Sequence, residues 1–244
     1  MVPKIEWFGE WFGSPYYHIL YKDRDQNEAK LFLDNLIQYL NLKRDDQILD
    51  LACGRGRHAI YLNNKGLNVT GIDISRENIE EVQKHQNERL KFYIHDMRFT
   101  FKRDAFNYIL NFFTSFGYFD TKEENESVVN AAAVGLVKGG KFLIDFLNPY
   151  TVVHELAPEE IKEINGIQFH ITKKIDDGFI IKDIKFADQG RNFHFYEKVK
   201  AIRRMEFLEY FENTGLEVVE IFGDYHLNPY VAEKSERMIF LLQK

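Results

Sequence analysis

Two patterns of apolar and polar residues alternate along most of this chain. Short apolar runs predict buried strands at residues 48–52, 66–72, 90–94, 105–112 and 141–147. Longer amphipathic stretches predict helices at residues 27–40, 57–63, 76–86 and 122–137. Gly139 and Gly140 are expected to end the last of these helices. Because strands that alternate with helices form parallel sheets, the pattern predicts an α/β domain.

The alternation stops at residues 150–203. Three strands without intervening helices are predicted there, at residues 166–175, 179–186 and 192–202. Turn sequences at 176–178 and 188–190 separate these strands, so they are expected to pair antiparallel. A helix at residues 204–213 and two final strands at 216–222 and 237–242 follow. The sequence therefore predicts a small antiparallel β-sheet inserted into the α/β domain after its fifth strand.

A length of 244 residues fits one α/β domain with an insert, or two small domains. We expect residues 1–149 and 204–244 to form the main domain and residues 150–203 to form the insert. Residues 1–24 form an aromatic arm, with rings at Trp7, Phe8, Trp11, Phe12, Tyr16, Tyr17 and Tyr21. Two interpretations of the arm stay open. It packs over the domain, or it is a lid whose rings face a bound ligand.

Composition narrows the classes of function. Apolar residues make up 45% of the chain, including 22 Phe and 13 Tyr, so a substantial core can form. The net charge is −6 and no run of Lys or Arg is long enough to follow a phosphate backbone, which argues against a nucleic-acid partner. One cysteine, Cys53, allows no internal disulfide and suits a reducing compartment. Without a signal-like or membrane-length apolar segment, we expect a cytoplasmic protein with no membrane partner.

Residues 47–59, QILDLACGRGRHA, combine a buried strand, a glycine turn and a helix start. After the strand end at Ala52, Gly54 and Gly56 allow a tight turn and a close approach of the backbone to a ligand. The N-terminus of the helix then offers free N–H groups to an anionic group. Together these features predict a nucleotide-type cofactor site.

Two cofactors are compatible with this turn. The sequence GRGRHA fits the dinucleotide fingerprint G-x-G-x-x-A, with Asp73 placed 19 residues after Gly54. Asp50, inside the strand, is of no use beside two phosphates but suits a ligand with an ammonium group. This favours a cofactor with an amino acid at one end and a ribose at the other, which describes S-adenosylmethionine. A nicotinamide-dependent oxidoreductase stays the alternative.

The ordered motifs resemble those of the class I S-adenosylmethionine-dependent methyltransferases, in particular the members that act on small molecules. They are ILDLACGRG at 48–56, GIDIS at 71–75, HDMR at 95–98 and the segment 111–118. The resemblance covers residues 46–149 and 206–244, and the aromatic lead-in at 7–24 is similar to that of small-molecule members. It implies a Rossmann-like, doubly wound sheet of seven strands with the last strand antiparallel. It also implies that the insert covers the acceptor site.

Further cofactor contacts are predicted at the ends of the second and third strands. Since the carboxyl ends of adjacent parallel strands line one crevice, Asp73 can accept from both hydroxyls of a ribose, with Ile74 against a ring of the ligand. Asp96 can accept from an exocyclic amine such as that of adenine, while Met97 packs on the ring. A plain turn role for Asp96 stays open. His95 has no second ligand at metal-site spacing, so no metal is predicted.

The loop after the fourth strand carries five aromatic rings within residues 111–119. We expect it to form an aromatic wall around the acceptor, with Asn111 and Tyr118 as its polar groups and Asn111 near the cofactor. The resemblance implies that a tyrosine of the arm approaches the cofactor, and Tyr17 and Tyr21 are the candidates.

Arg57 is an unusual residue for the first turn of a helix. That end of a helix already carries positive potential, so Arg57, with Arg55 beside it, indicates an anion nearby. The anion is either an acidic side chain at the surface or a carboxylate of the cofactor or the acceptor.

The predicted activity is methyl transfer from S-adenosylmethionine to a nitrogen or oxygen atom of a small molecule, by in-line displacement. Alignment of the reactants alone can lower such a barrier by roughly 7–11 kcal/mol. A hydroxyl acceptor would also benefit from a base, and Tyr118 and His226 are the candidate catalytic residues. A non-catalytic protein that binds S-adenosylmethionine is a second alternative, because a sensor would keep the same pocket. The expected assembly is a monomer or a homodimer.

Overall fold

The computed structural model describes residues 7–22, 26–154 and 156–244. Residues 1–6 and 23–24 of the predicted arm lie outside this part of the chain. The helices are α1 (Trp7–Gly13), α2 (Pro15–Leu20), α3 (Gln26–Leu40), α4 (Arg57–Asn64), α5 (Arg76–Val82), α6 (Lys122–Gly135), α7 (Pro149–His154) and α8 (Arg204–Phe211). The strands are β1 (Gln47–Leu51), β2 (Asn68–Asp73), β3 (Leu90–Ile94), β4 (Phe106–Asn111), β5 (Leu136–Leu147), β6 (Glu159–Ile164), β7 (Ile167–Asp176), β8 (Phe179–Asp188), β9 (Arg191–Lys200), β10 (Glu217–Phe222) and β11 (Arg237–Gln243).

The first sheet has seven strands in the order β10-β11-β5-β4-β1-β2-β3. Strands β1 to β5 pair in parallel, and β11 lies antiparallel between β5 and β10. Helices α3, α4 and α5 cover one face, and α6 and α8 cover the other, so a separate apolar core lies on each side. This arrangement confirms the predicted Rossmann-like, doubly wound sheet of seven strands with an antiparallel last strand.

The side chains of strand β1 alternate between the two faces of the sheet. Successive residues of a strand point to opposite faces. Ile48 packs in the core under α3 to α5, whereas Leu49 and Leu51 pack in the core under α6 and α8. By this alternation Asp50 shares the face of Ile48, and only 1% of its surface is exposed. A carboxyl group in that position needs a hydrogen-bond partner, which the start of α4 supplies.

The boundary between α6 and β5 differs from the prediction. The apolar spacing predicted a helix to residue 137, but α6 ends at Gly135 and Leu136 pairs with Phe106 of β4. Gly139, with φ of 77°, lies within the first, irregular part of β5. The prediction that Gly139 and Gly140 end the helix was therefore wrong. An apolar pair at residues 136–137 fits a helix and a strand equally well, so spacing alone could not separate the two.

The second sheet has four antiparallel strands in the order β6-β7-β8-β9. Three of them were predicted, and the edge strand β6 was missed. Its sequence, EEIKEI, is mostly charged, and none of its residues is fully buried. A solvated edge strand of this kind carries too few apolar residues to produce a clear alternating signal.

The N-terminal helices α1 and α2 join the two sheets. Trp11 and Leu20 are buried with Phe169 and Phe186 of the second sheet, whereas Phe8 packs in the core of the first. These helices were not predicted, and neither was α7. The start of α2 did carry local signals, since the Ser14 hydroxyl caps the helix and Pro15 opens it. In the described part of the chain, no helix combines the length and apolarity needed to cross a membrane.

Candidate functional site

A large cavity lies at the carboxyl ends of the parallel strands, where ligands bind in doubly wound sheets. Its volume is about 340 Å³, within the range of small-molecule sites. Ten of the predicted site residues line it: Tyr17, Tyr21, Ala52, Gly54, Arg57, Asp73, Ile74, Asp96, Met97 and Tyr118. Asp50, Gly56, Asn111 and His226 do not line it. Residues of the sequence motifs therefore lie together around one cavity, and those four residues lie outside its wall.

The glycine turn forms the floor of the cavity. Ala52, Gly54 and Gly56 all have positive φ, at 62°, 54° and 68°, so three left-handed residues turn the chain within five positions. A Cβ added at Gly54 would meet nothing within 4 Å, which leaves open space for a ligand beside the backbone. A Cβ at Gly56 would lie 2.7 Å from atoms of Val82 and Phe92. Gly54 thus borders the ligand space, whereas Gly56 is required by packing against the sheet.

Asp73 connects the glycine turn to the end of β2. Its Oδ2 accepts the Gly54 N–H at 2.8 Å, and its Oδ1 accepts the Ser75 N–H at 2.8 Å. Burial raises the pKa of Asp73, and the two N–H bonds oppose that rise. Each carboxylate oxygen keeps a second acceptor position. Asp73 can therefore hold the turn and still accept hydrogen bonds from a ligand in the cavity.

Asp96 and Met97 extend the same wall beyond β3. Arg98 donates to both oxygens of Asp96, with Nη2 2.7 Å from Oδ2, and Nη1 of Arg98 bonds Glu124 at 2.6 Å. This pairing fixes the Asp96 carboxylate beside Met97 and Ile74, all three of which line the cavity. Contact of these groups with a ring that carries an exocyclic amine stays a prediction.

Asp50 and Asn111 organise the strand ends beneath the cavity. Asp50 Oδ2 accepts the Ala59 N–H of α4 at 3.1 Å, and Asn111 Nδ2 donates to the Leu51 carbonyl at 2.9 Å. Burial, the largest cause, raises the pKa of Asp50 to about 7. Both side chains thus support the glycine turn from beneath the cavity. A direct cofactor contact from either one stays a prediction.

Comparison with known proteins gives consistent matches. A family model described as a methyltransferase domain matches residues 48–140. The chain is 25% identical over 214 residues to the putative methyltransferase YqeM of Bacillus subtilis, covering 84% of this chain and 86% of that one. It is also 25% identical over 187 residues to dTDP-3-amino-3,4,6-trideoxy-alpha-D-glucopyranose N,N-dimethyltransferase of Streptomyces venezuelae, covering 72% and 77%. The structure of an S-adenosylmethionine-dependent methyltransferase from Clostridium acetobutylicum matches with a TM-score of 0.79 at 20% identity, covering 93% and 95%.

Residues 48–140 form a methyltransferase domain, and the fold of the chain is that of S-adenosylmethionine-dependent methyltransferases. Its cavity fits that cofactor, because Gly54 leaves open space and Asp73 keeps acceptor positions beside it. The nicotinamide alternative is thereby set aside.

The aromatic loop of the methyltransferase is held in an unusual backbone conformation. Phe113 and Thr114 have φ of 53° and 62°, in a region that non-glycine residues rarely adopt. Asp145 of β5 fixes both residues, since its Oδ2 accepts the Phe113 N–H at 2.7 Å and its carbonyl accepts the Thr114 N–H at 2.9 Å. The loop therefore depends on a buried acid of the neighbouring strand to present Phe113 and Tyr118 to the cavity.

Asp145 itself is paired with Arg237 of β11. Arg237 donates to Asp145 Oδ1 from Nη2 at 2.7 Å and from Nε at 2.8 Å, and it also donates to Thr114 Oγ1 at 3.0 Å. Tyr225 donates its hydroxyl to Asp145 Oδ2 at 3.2 Å. This network was not predicted from the sequence. Its signal was an acid inside the apolar run 142–147 and an arginine at the head of the apolar run 238–242.

Arg57 lies over the ring of Phe113, with its guanidinium carbon 4.8 Å from the ring centroid. Its Nε donates to His58 Nε2 at 2.8 Å, and the His58 ring stacks on Phe113 at 4.9 Å. Burial, aided by the charge of Arg57, holds the pKa of His58 well below its usual range, so the ring is neutral and accepts this bond. These contacts position the Arg57 guanidinium at the cavity wall. Arg55 also lines the cavity, but its Nη2 forms a half-exposed ion pair with Glu81 at 2.9 Å.

The arm of the methyltransferase closes the cavity on the other side. Phe12 bridges Tyr118 and Tyr17, with ring centroids 5.2 Å and 5.0 Å away, and Tyr17 lies 4.9 Å from Tyr21. At the end of this row the Tyr21 hydroxyl donates to Glu197 of β9 at 2.7 Å. The arm thus packs on the second sheet and also lines the cavity, so the two interpretations of the arm are compatible.

The predicted site residues included His226 and omitted Glu197. Glu197 lines the cavity, although no motif of the sequence indicated it. His226 is exposed on the loop after β10, where its backbone N–H donates to Asp224 at 2.9 Å. A catalytic role for His226 has no support from its position, and Tyr118 is the candidate base that reaches the cavity.

Replacement of Asp50 by asparagine should change the pH dependence of stability. The pKa of Asp50 rises from 3.8 to about 7 on folding, so its contribution to stability is complete below about pH 4 and is lost as the pH rises through about 7. The difference of about three pKa units corresponds to about 4 kcal/mol. In urea unfolding between about pH 4 and 8, the Asp50→Asn variant should therefore lose less stability than the wild type, by up to about 4 kcal/mol. Parallel pH profiles for the two proteins would contradict this assignment.

Proposed function

We propose that this methyltransferase transfers the methyl group of S-adenosylmethionine to an amine nitrogen of a small molecule. The observation that carries the proposal is one cavity of about 340 Å³ with two chemically different walls. The first wall comes from the glycine turn and the strand ends, with Gly54, Asp73 and Asp96. The second comes from the aromatic loop, the arm and Glu197 of the second sheet. A cofactor and a small acceptor can therefore meet between them.

The second sheet and the arm form the acceptor half in this proposal, and the seven-stranded sheet forms the cofactor half. The proposal is supported by the position of Glu197 in the cavity and by the apolar cluster that joins Trp11 and Leu20 to the second sheet. The insert at residues 150–203 would accordingly shape acceptor choice.

When bound, S-adenosylmethionine supplies a methyl group on a sulfonium, and a lone pair of the acceptor would attack the methyl carbon and displace the sulfur. The residues of this chain then have to orient the acceptor and exclude water. Aromatic faces attract a sulfonium or an ammonium group, so the row from Tyr118 to Tyr21 suits both reactants. Asp73 is proposed to bind the ribose, Asp96 the adenine amine, and Met97 and Ile74 the ring.

Nitrogen is favoured over oxygen as the attacked atom for two reasons. A neutral amine needs no strong base. A hydroxyl acceptor would have to rely on Tyr118, which is the one of the two candidate bases that lines the cavity. The relative from Streptomyces venezuelae is named as an N,N-dimethyltransferase of an amino sugar nucleotide. Amino sugars are therefore a first class of acceptor to test.

Calorimetry and a turnover assay test the proposal. We expect S-adenosylmethionine to bind in the micromolar range without detectable NAD binding. A panel of amino sugars and the matching hydroxy sugars should then release S-adenosylhomocysteine only with amines. Binding of the cofactor without turnover on any amine, together with turnover on a hydroxy sugar, would overturn the choice of nitrogen.

The partner of Arg57 can be identified by substitution. Arg57→Met keeps the length of the side chain and removes its charge. If Arg57 binds the carboxylate of the cofactor, affinity for S-adenosylmethionine should fall at least tenfold, about 1.4 kcal/mol. If affinity holds and turnover collapses, the carboxylate belongs to the acceptor.

Arg76→Met is the matched control, because Arg76 forms an exposed ion pair with Glu80 outside the cavity lining and should change neither quantity. If Arg57→Met behaves like this control, Arg57 has no ligand role.

A further inference from the structure

Glu197 is the acid that the second sheet contributes to the cavity wall. It belongs to β9, and among the described residues the other acids of the wall are Asp73 and Asp96, which lie at or just after the ends of strands of the first sheet. Asp73 holds the glycine turn and Asp96 is paired by Arg98. Glu197 is thus the cavity acid nearest to the arm, in the half of the site proposed for the acceptor.

The Glu197 carboxylate is fixed by groups of the arm. Its Oε1 accepts from Trp11 Nε1 at 2.8 Å and from the Tyr21 hydroxyl at 2.7 Å. Trp11 is almost fully buried, and the Glu197 side chain is 16% exposed. Two hydrogen bonds to one oxygen orient the carboxylate, and Oε2, which lies 3.8 Å from Lys182 Nζ, can accept from a further group.

Lys182 is the cation beside Glu197. The two residues face each other across β8 and β9, with Lys182 Nζ 3.8 Å from Glu197 Oε2. Lys182 also lies over the Tyr21 ring at 4.5 Å and bonds the Tyr21 hydroxyl. A largely buried ion pair adds little stability compared with apolar residues of similar size. Its presence at a cavity wall is therefore better explained by ligand recognition than by stability.

We propose that Glu197 recognises the acceptor amine and stabilises the positive charge that develops on its nitrogen. This inference rests on the proposed function. The nitrogen lone pair forms the new N–C bond, the C–S bond breaks with its electron pair going to sulfur, and positive charge moves from sulfur to nitrogen. Glu197 Oε2 accepts an N–H of the amine throughout, and the excess proton then leaves to water. A fixed carboxylate close to the developing charge lowers the barrier.

The surroundings of Glu197 favour an ammonium group over other cations. Tyr21, which bonds the carboxylate, and Tyr17 beside it both line the cavity, and aromatic faces next to an anion suit a small alkylated cation. Lys182 limits the net charge of the site, so a neutral amine can enter and the charged product can leave. The acceptor class is therefore a primary or secondary aliphatic amine.

Two variants with opposite expected effects test the inference. The probes are cyclohexylamine, which is cationic at neutral pH and therefore stands in for the charged methylated product, and cyclohexanol, its neutral counterpart, each titrated in the presence of S-adenosylhomocysteine. The wild type should bind the amine at least tenfold more tightly than the alcohol. Glu197→Gln, which can still accept from Trp11 and Tyr21, should reduce that ratio to near one. Lys182→Met should raise it several-fold, because the carboxylate loses its neighbouring cation.

A purely structural role predicts a different result. It would lower the binding of both probes in both variants, and it would leave the ratio unchanged. Equal ratios in the wild type and Glu197→Gln overturn the inference. Affinity for S-adenosylmethionine, measured on the same samples, separates the two proposals. If the cofactor does not bind to the wild type, the proposed function fails. If it binds and the amine preference is absent, only the role of Glu197 fails.

Discussion

Replacement of Asp73 by alanine will weaken the binding of S-adenosylmethionine by roughly tenfold to a hundredfold or more. A hydrogen bond to a charged group is worth about 1.5–3 kcal/mol, and each factor of ten corresponds to about 1.4 kcal/mol. Asp73 is proposed to accept both ribose hydroxyls, and it also holds the N–H groups of Gly54 and Ser75. Calorimetric titration of the variant measures the loss.

The fold should survive this substitution, because Asp73 ends a strand and borders the cavity, where water can solvate the released N–H groups. Asp34→Ala serves as the control, since Asp34 forms a half-exposed pair with Lys65 away from the cavity. Unchanged affinity in Asp73→Ala would remove Asp73 from the binding site.

Replacement of Asp145 by alanine should lower the free energy of unfolding by about 3–5 kcal/mol. Removing one partner of a buried ion pair leaves the other charge without compensation, and Asp145 is fully buried against Arg237. The N–H of Phe113 and the hydroxyl of Tyr225 lose their acceptor as well. In a chain of this size each kcal/mol corresponds to about 2–4 °C, so the melting temperature should fall by roughly 6–20 °C.

A double variant isolates the charge effect. Asp145→Ala with Arg237→Met removes both charges and should recover part of the lost stability, which calorimetry can measure. A melting temperature of Asp145→Ala equal to that of the wild type would show that the network does not contribute to stability.

The main fold could be predicted because its signals are local. Apolar runs and amphipathic stretches each report one element, and the sheet order follows once strands and helices alternate. The α6–β5 boundary could not be predicted, since Leu136 belongs to either element until its pairing with Phe106 is known. Strand β6 carries too few apolar residues for a clear alternating signal, and α1 and α2 pack on distant segments, so only the capping residues of α2 gave a local signal.

The cofactor half of the site was predicted better than the acceptor half. Gly54, Asp73 and Asp96 follow successive strands, and parallel topology alone brings them together. Glu197 and the Asp145–Arg237 pair meet their partners across large sequence distances, so their roles appear only in the folded chain. The placement of Asp50 behind the turn follows from the alternation of side chains along β1. The apolar pattern of the sequence already contained this alternation.

Helix α1 contains both tryptophans of the chain, Trp7 and Trp11. Trp7 lies 5.6 Å from the ring of Tyr118, and Trp11 donates its indole N–H to Glu197. The intrinsic indole emission of the protein therefore arises from two rings that contact residues of the cavity wall, Tyr118 and Glu197. Excitation at the red edge of the absorption band follows ligand binding without a label, and stopped-flow recording can time the arrival of cofactor and acceptor separately.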